Sequence, residues 1–150
     1  MENFKILWVD DEVELLKPHI LFLEEKGFKV DTSSNGSDAI QLIKDNLFHI
    51  IFLDENMPGL SGLETLEKIK DISNVPVVMI TKSEEEYLME DAIGSQISDY
   101  LIKPVNPNQI LLCVKKILDN NRLIHNKFQK DYRGGYMEIS NLINTASTYI

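Results

Sequence analysis

Five residues have the types and placing needed to work on a phosphoryl group: Asp10, Asp11, Asp54, Thr81 and Lys103. Each ends or follows a short apolar run. Asp10 and Asp11 follow Ile6-Leu7-Trp8-Val9, and Asp54 follows Ile50-Ile51-Phe52-Leu53. Thr81 closes the run from Val75 to Ile80, which only Pro76 interrupts, and Lys103-Pro104 follows Tyr100-Leu101-Ile102. Three carboxylates brought together repel one another, and without a cation one of them tends to keep its proton. Mg²⁺ relieves this, because it is a hard cation that takes one or two carboxylates, waters and a phosphate oxygen. In such a site Asp54 is the nucleophile. Mg²⁺ and Lys103 neutralise charge on the equatorial oxygens, and Thr81 donates a hydrogen bond. Singly, each residue has an ordinary explanation. Asp10-Asp11 can cap a helix, Asp54 can be a turn acid before Pro58-Gly59, Thr81 can be a plain strand residue and Lys103 a solvated lysine. Together, suitable types at four strand ends point to one pocket.

The elements that must position these residues are legible in the apolar pattern. Unbroken apolar runs are typical of parallel strands covered by helices on both faces. Phe28-Lys29-Val30 and Tyr100-Leu101-Ile102 are the weaker second and fifth strands. Helix starts lie between the strands. Asp11 with Glu14 predicts a capping box, followed by Val13, Leu16, Ile20 and Leu23 at helical spacing, with Gly27 as the stop. Ser61 with Glu64 opens a third helix, Ser83 with Glu86 a fourth, and Asn106-Pro107 with Gln109 a fifth. The second helix, about Gly36 to Asn46, is the least well marked. Strand and helix thus alternate five times. This predicts an α/β fold: a five-stranded doubly wound parallel sheet of flavodoxin-like order 2-1-3-4-5, with sites at the carboxyl ends of its strands.

Composition narrows the function. The net charge of −9 argues against direct nucleic-acid binding. Residues 121–150 carry four basic and two acidic side chains, so residues 1–120 hold −11. That shift predicts a boundary near residue 120. A single cysteine, Cys113, excludes an internal disulfide, and with only three histidines no Cys/His zinc site is built. Cys113 reads as a small buried hydrophobe. No apolar run is long enough for a membrane span, and the N-terminus does not read as a signal peptide. A cytoplasmic location is expected.

The motifs Val9-Asp10-Asp11-Glu12, Asp54-Glu55-Asn56-Met57-Pro58-Gly59-Leu60-Ser61-Gly62, Ile80-Thr81 and Tyr100-Leu101-Ile102-Lys103-Pro104 resemble the receiver family of two-component response regulators, of which CheY is a small example. The resemblance covers about residues 4–120. It implies that Asp54 accepts a phosphoryl group from a sensor histidine kinase. It implies that Asp11 and Asp54 ligate Mg²⁺ directly, that the Asn56 carbonyl adds a ligand, and that Asp10 acts largely through water. Thr81 and Lys103 then bind the phosphoryl oxygens. Tyr100 matches the switch aromatic that turns inward as Thr81 moves. The resemblance also implies a cis Lys103–Pro104 peptide that aims the lysine inward. One position departs from the pattern: the usually small residue after the threonine is Lys82, which reads either as a solvated lysine at the pocket mouth or as a second cation governing access.

A narrower resemblance is to PorX-type regulators of type IX secretion in Bacteroidetes, which join a receiver to a helical segment and a PglZ-type domain of the alkaline phosphatase superfamily. Asp54–Pro58, Met79–Glu86 and Ile102–Pro107 carry it. It implies that residues 121–150 begin a helical linker or bundle continuing beyond this chain. The expected role is a switch whose output is altered contact with a downstream protein or with its own further domain, rather than an enzyme. The alternative, a phosphatase or phosphotransferase using Asp54 on an external substrate, expects a second aspartate two residues after the nucleophile, where Asn56 stands. A pseudo-receiver would lack a pocket residue, and none is missing. In the tail, Leu123, Ile124 and Phe128 extend the last helix to about residue 131, and Gly134-Gly135 breaks it. Met137, Ile139, Leu142, Ile143, Ala146 and Ile150 then predict a second helix over 136–150. Its uncovered apolar stripe makes a homodimer the expected association.

Overall fold

The computed structural model describes the backbone of residues 4–82 and 96–134, and the side chains of 4–82 and 96–120. The helix expected from Ser83 and the one expected over 136–150 lie outside the described residues.

Five strands are present: β1 (Lys5–Val9), β2 (Lys29–Ser33), β3 (Ile50–Asp54), β4 (Val77–Thr81) and β5 (Asp99–Ile102). They form one sheet of order β2-β1-β3-β4-β5, and every neighbouring pair is parallel. The expected topology is therefore the one observed. β3 is central, and Ile50, Ile51, Phe52 and Leu53 are each 0% exposed. Burying each such side chain contributes about 1.5–3 kcal/mol, which explains why this run has no polar residue before Asp54. β2 begins one residue later than the apolar pattern suggests and runs on through Asp31 and Thr32. It lies at the sheet edge, where polar residues are tolerated.

Side chains alternate across the sheet. Leu7, Val9, Ile51, Leu53, Val77 and Met79 share one core cluster with Ala39, Leu66 and Ile69. Trp8 and Phe52 point to the opposite face, where their rings meet at 5.1 Å. By the same alternation Asp54 belongs to the Trp8 and Phe52 face.

The helices are α1 (Lys17–Glu25), α2 (Gly36–Asp45), α3 (Gly62–Ile72) and α4 (Pro107–Gly134), with a short 3-10 turn at Val13–Leu16. The capping box expected of Asp11 and Glu14 does not form. Glu12 occupies the cap position and makes no side-chain cap bond. Two causes are local. Asp10, not Asp11, turns back to accept the Glu12 N–H, at 2.8 Å. Pro18 has no N–H to give the Glu14 carbonyl, so the α-helical pattern begins only at Lys17. Glu14 pairs instead with Lys17 at 2.9 Å. Gly27 stops α1 as expected, with φ +97 in the left-handed region.

The other starts follow their signals. At α3 the Glu64 N–H donates to Ser61 Oγ and the Ser61 N–H to Glu64 Oε1, a complete capping box. Asn106 and Gln109 make the same reciprocal pair before α4, at 2.9 Å in both directions. The weakly marked α2 is capped by Asn35, whose side chain accepts the Asp38 N–H.

The chain divides into two compact units at Leu111 and Leu112. The sheet and α1 to α3 belong to the first, and the division falls inside α4. That helix is continuous to Gly134, where the glycine pair stands. Ile110, Cys113, Val114 and Ile117 are buried at helical spacing, so Cys113 is the buried small residue expected. No described helix is long and apolar enough to cross a membrane.

Candidate functional site

The ends of β1, β3, β4 and β5 open on one edge of the sheet, and ladder bonds carry their register one step further. The Asp10 N–H donates to the Ser33 carbonyl at 3.0 Å, Glu55 N–H to Ile80 at 3.0 Å, and Lys103 N–H to Thr81 at 2.7 Å. Asp10, Asp54, Thr81 and Lys103 are thus fixed by backbone before their side chains act. β5 lies two strands from β3, about 10 Å at ordinary strand spacing, so only a long side chain from Lys103 can reach Asp54. Lys103 Nζ stands 3.4 Å from Asp54 Oδ1 and 3.4 Å from Asp10 Oδ2. Asp10 and Asp54 are 2% and 1% exposed.

Burial pushes the Asp54 carboxyl up to about 6, and the neighbouring Asp10 charge adds to the rise. Lys103 and the Asn56 N–H, which donates to Asp54 Oδ1 at 3.4 Å, pull the other way. For Lys103, burial alone would lower the pKa, but Asp54 and Asp10 together raise it above its ordinary value. The lysine is therefore a fixed positive charge between two buried carboxylates.

Two of the residues expected to hold a metal, Asp10 and Asp11, fall in one acidic cluster. Oxygens of Asp10, Asp11 and Glu12 lie within 4.8 Å of one another, with Asp11 and Glu12 exposed. Asp54 is not in that group; it faces Lys103 and accepts the Asn56 N–H. Asp10 belongs to the cluster and also faces Lys103. The donors are all oxygens, the set a hard divalent cation such as Mg²⁺ takes. Glu12 was not among the expected ligands, although it stands in the acidic motif. Thr81 ends β4 and is buried. Tyr100 is half-buried and packed against the core cluster. Lys82 lines a cavity of about 470 Å³ together with Asp10, Glu12, Lys103 and Trp8. Trp8 points away from Val9, as alternation requires, yet shares that cavity with Asp10. The Lys103–Pro104 peptide is cis, as expected.

Gly62 has a part that the residue pattern only hints at. A Cβ there would lie 2.6 Å from the Asp54 carbonyl oxygen and 2.6 Å from Glu55 Cα. Its own N–H donates to the Glu55 carbonyl at 3.0 Å. The start of α3 is thereby pressed against the backbone that carries Asp54. A glycine at the first position of a well-capped helix is a poor helix former, and that is the signal in the sequence.

Residues 6–115 match the model of the response regulator receiver domain. The chain belongs to this family. It is 38% identical over 116 residues to the transcriptional regulatory protein CpxR homolog of Haemophilus influenzae, covering 76% of this chain and 50% of that protein. It is 32% identical over 114 residues to the transcriptional regulatory protein SrrA of Staphylococcus aureus, covering 76% and 47%. The chain thus spans about half the length of the curated relatives it matches. Among solved structures it resembles response regulator protein TrrA of Thermotoga maritima, in complex with Mg²⁺-BeF, at TM-score 0.67 and 29% identity, covering 76% of this chain and 98% of that one.

Proposed function

We propose that this receiver domain is a phosphorylation switch in which Asp54 accepts a phosphoryl group from a sensor histidine kinase. The observation that carries the reading is the Lys103 ammonium held 3.4 Å from Asp54, at the buried end of the central strand. A carboxylate oxygen of Asp54 attacks phosphorus in line, the O–P bond forms, and the N–P bond to the donor imidazole breaks. The imidazole leaves and takes its proton from solvent. Lys103 neutralises charge on the transferring oxygens, and Thr81, at the neighbouring strand end, donates to one of them. Asp10, Asp11, Asp54 and the Asn56 carbonyl are the proposed Mg²⁺ ligands, with Glu12 as a neighbouring acid. Bound Mg²⁺ would offset the repulsion between carboxylate and phosphoryl group.

Drawing Thr81 towards the phosphoryl group is the proposed signal, read out by Tyr100 on β5. The receiver would act in the cytoplasm on a downstream protein or on its own further domain. The stretches around Asp54, Thr81 and Lys103 support a PorX-type arrangement, with residues 121–150 leading to a PglZ-type domain. No turnover of an external substrate is assigned to this chain.

Intact-mass measurement after incubation with acetyl phosphate and Mg²⁺ tests the reading. One phosphoryl group per chain is expected on the native protein and none on Asp54→Asn. Equal labelling of the two would defeat it.

A further inference from the structure

His19 lies in the first turn of α1, far in sequence from the site, yet it touches the segment that carries Lys103. Its Nε2 is 2.6 Å from the Val105 carbonyl oxygen. A carbonyl only accepts, so the neutral ring carries its proton on Nε2 and donates it there. Nδ1 is then left as an acceptor, buried and without a hydrogen-bond partner among the described residues. The His19 and Trp8 rings stand nearly perpendicular, 5.7 Å between centroids, and Trp8 rests on Phe52 of β3.

Val105 is two residues beyond Lys103, and Pro104 between them has a fixed φ. On its other side the Lys103 N–H is bonded to the Thr81 carbonyl at 2.7 Å. The backbone around Lys103 is therefore anchored twice: to the end of β4 and, through His19, to α1. We propose that His19 is a positioning residue for phosphoryl transfer, holding this segment so that the Lys103 ammonium stays between Asp10 and Asp54. The proposal rests on the reading of Asp54 as phosphoacceptor. It is a separate claim, because His19 touches none of the reacting atoms.

The test compares His19→Leu, which deletes the donor, with His19→Gln, whose amide nitrogen can replace Nε2. Labelling by acetyl phosphate with Mg²⁺ is followed at saturating donor, well below each melting temperature. A displacement of catalytic groups of this kind costs about tenfold or more in rate. We expect that loss in His19→Leu, little change in the donor concentration giving half-maximal rate, and recovery of most of the rate in His19→Gln. If His19→Leu does not fold, His19→Asn, whose amide is one carbon shorter, takes its place. NMR of protein labelled at lysine Cε reads Lys103 without any phosphate. Its resonance should move in the Leu or Asn variant and return in the Gln variant. A native labelling rate in the deletion variant, or an unmoved Lys103 resonance, overturns the proposal even if the melting temperature falls. If the native chain itself takes no label, the phosphoacceptor reading fails, and the Lys103 resonance still decides whether His19 positions the lysine.

Discussion

Asp54→Asn should stabilise the metal-free protein. The carboxyl is 1% exposed, and its pKa is raised from 3.8 to about 6 by burial and by Asp10. A group whose folded pKa lies above its unfolded one favours the fold fully below the unfolded value and loses that contribution as pH rises through the folded one. At neutral pH the ionised Asp54 therefore weakens the fold. With 1.36 kcal/mol for each pH unit between the two values, the penalty is about 3 kcal/mol at pH 7.5 and about 1–2 kcal/mol at pH 5. Asparagine carries no charge but keeps a polar amide in the same place, so about 1–3 kcal/mol of gain is expected at the higher pH. Thermal melts of both proteins in EDTA at about pH 7.5 and about pH 5 read the effect, as a rise of several degrees in Tm. The gap should shrink by roughly half on acidification. Adding Mg²⁺ should raise the native Tm and leave the variant nearly unmoved, because a ligand stabilises only the fold that binds it. A variant less stable than native at about pH 7.5 without metal would show that ionised Asp54 does not weaken the fold.

Three further outcomes follow from the geometry. Gly62→Ala puts a methyl group 2.6 Å from the Asp54 carbonyl oxygen; it should cost about 1–3 kcal/mol in urea melts, as overpacking does, and slow acetyl phosphate labelling. Ser61→Ala removes one half of the α3 capping box and should cost about 1 kcal/mol in the same melts, with labelling at its native rate. Lys103→Met removes the cation shared by Asp10 and Asp54. It should raise the Asp54 pKa further, seen by NMR of the labelled carboxyl, and abolish most of the labelling.

Much of this architecture is written in the apolar runs. β1, β3 and β4 are buried on both faces, so they cannot alternate and stand out as unbroken segments. The edge strand β2 is less legible, because solvent tolerates Asp31 and Thr32 there. Capping boxes at Ser61 and Asn106 are readable since both partners lie within four residues. The Asp11–Glu14 pair has the same spacing and fails, because Pro18 and the demand on Asp10 override it. In the site, residue type and strand-end placing mark Asp10, Asp54, Thr81 and Lys103. Spacing does not reveal that Lys103 bridges Asp10 and Asp54, or that Glu12 joins the acidic cluster. The His19 contact spans 86 residues, and nothing local in the chain announces it.

The most direct measurement locates the phosphoryl group by residue. Protein incubated with acetyl phosphate and Mg²⁺ is reduced with borohydride, which converts an acyl phosphate to an alcohol, and is then digested and sequenced by mass spectrometry. Homoserine is expected at position 54, with unaltered aspartate at positions 10 and 11. An acid-stable phosphate on serine or threonine, with Asp54 unmodified, would contradict it.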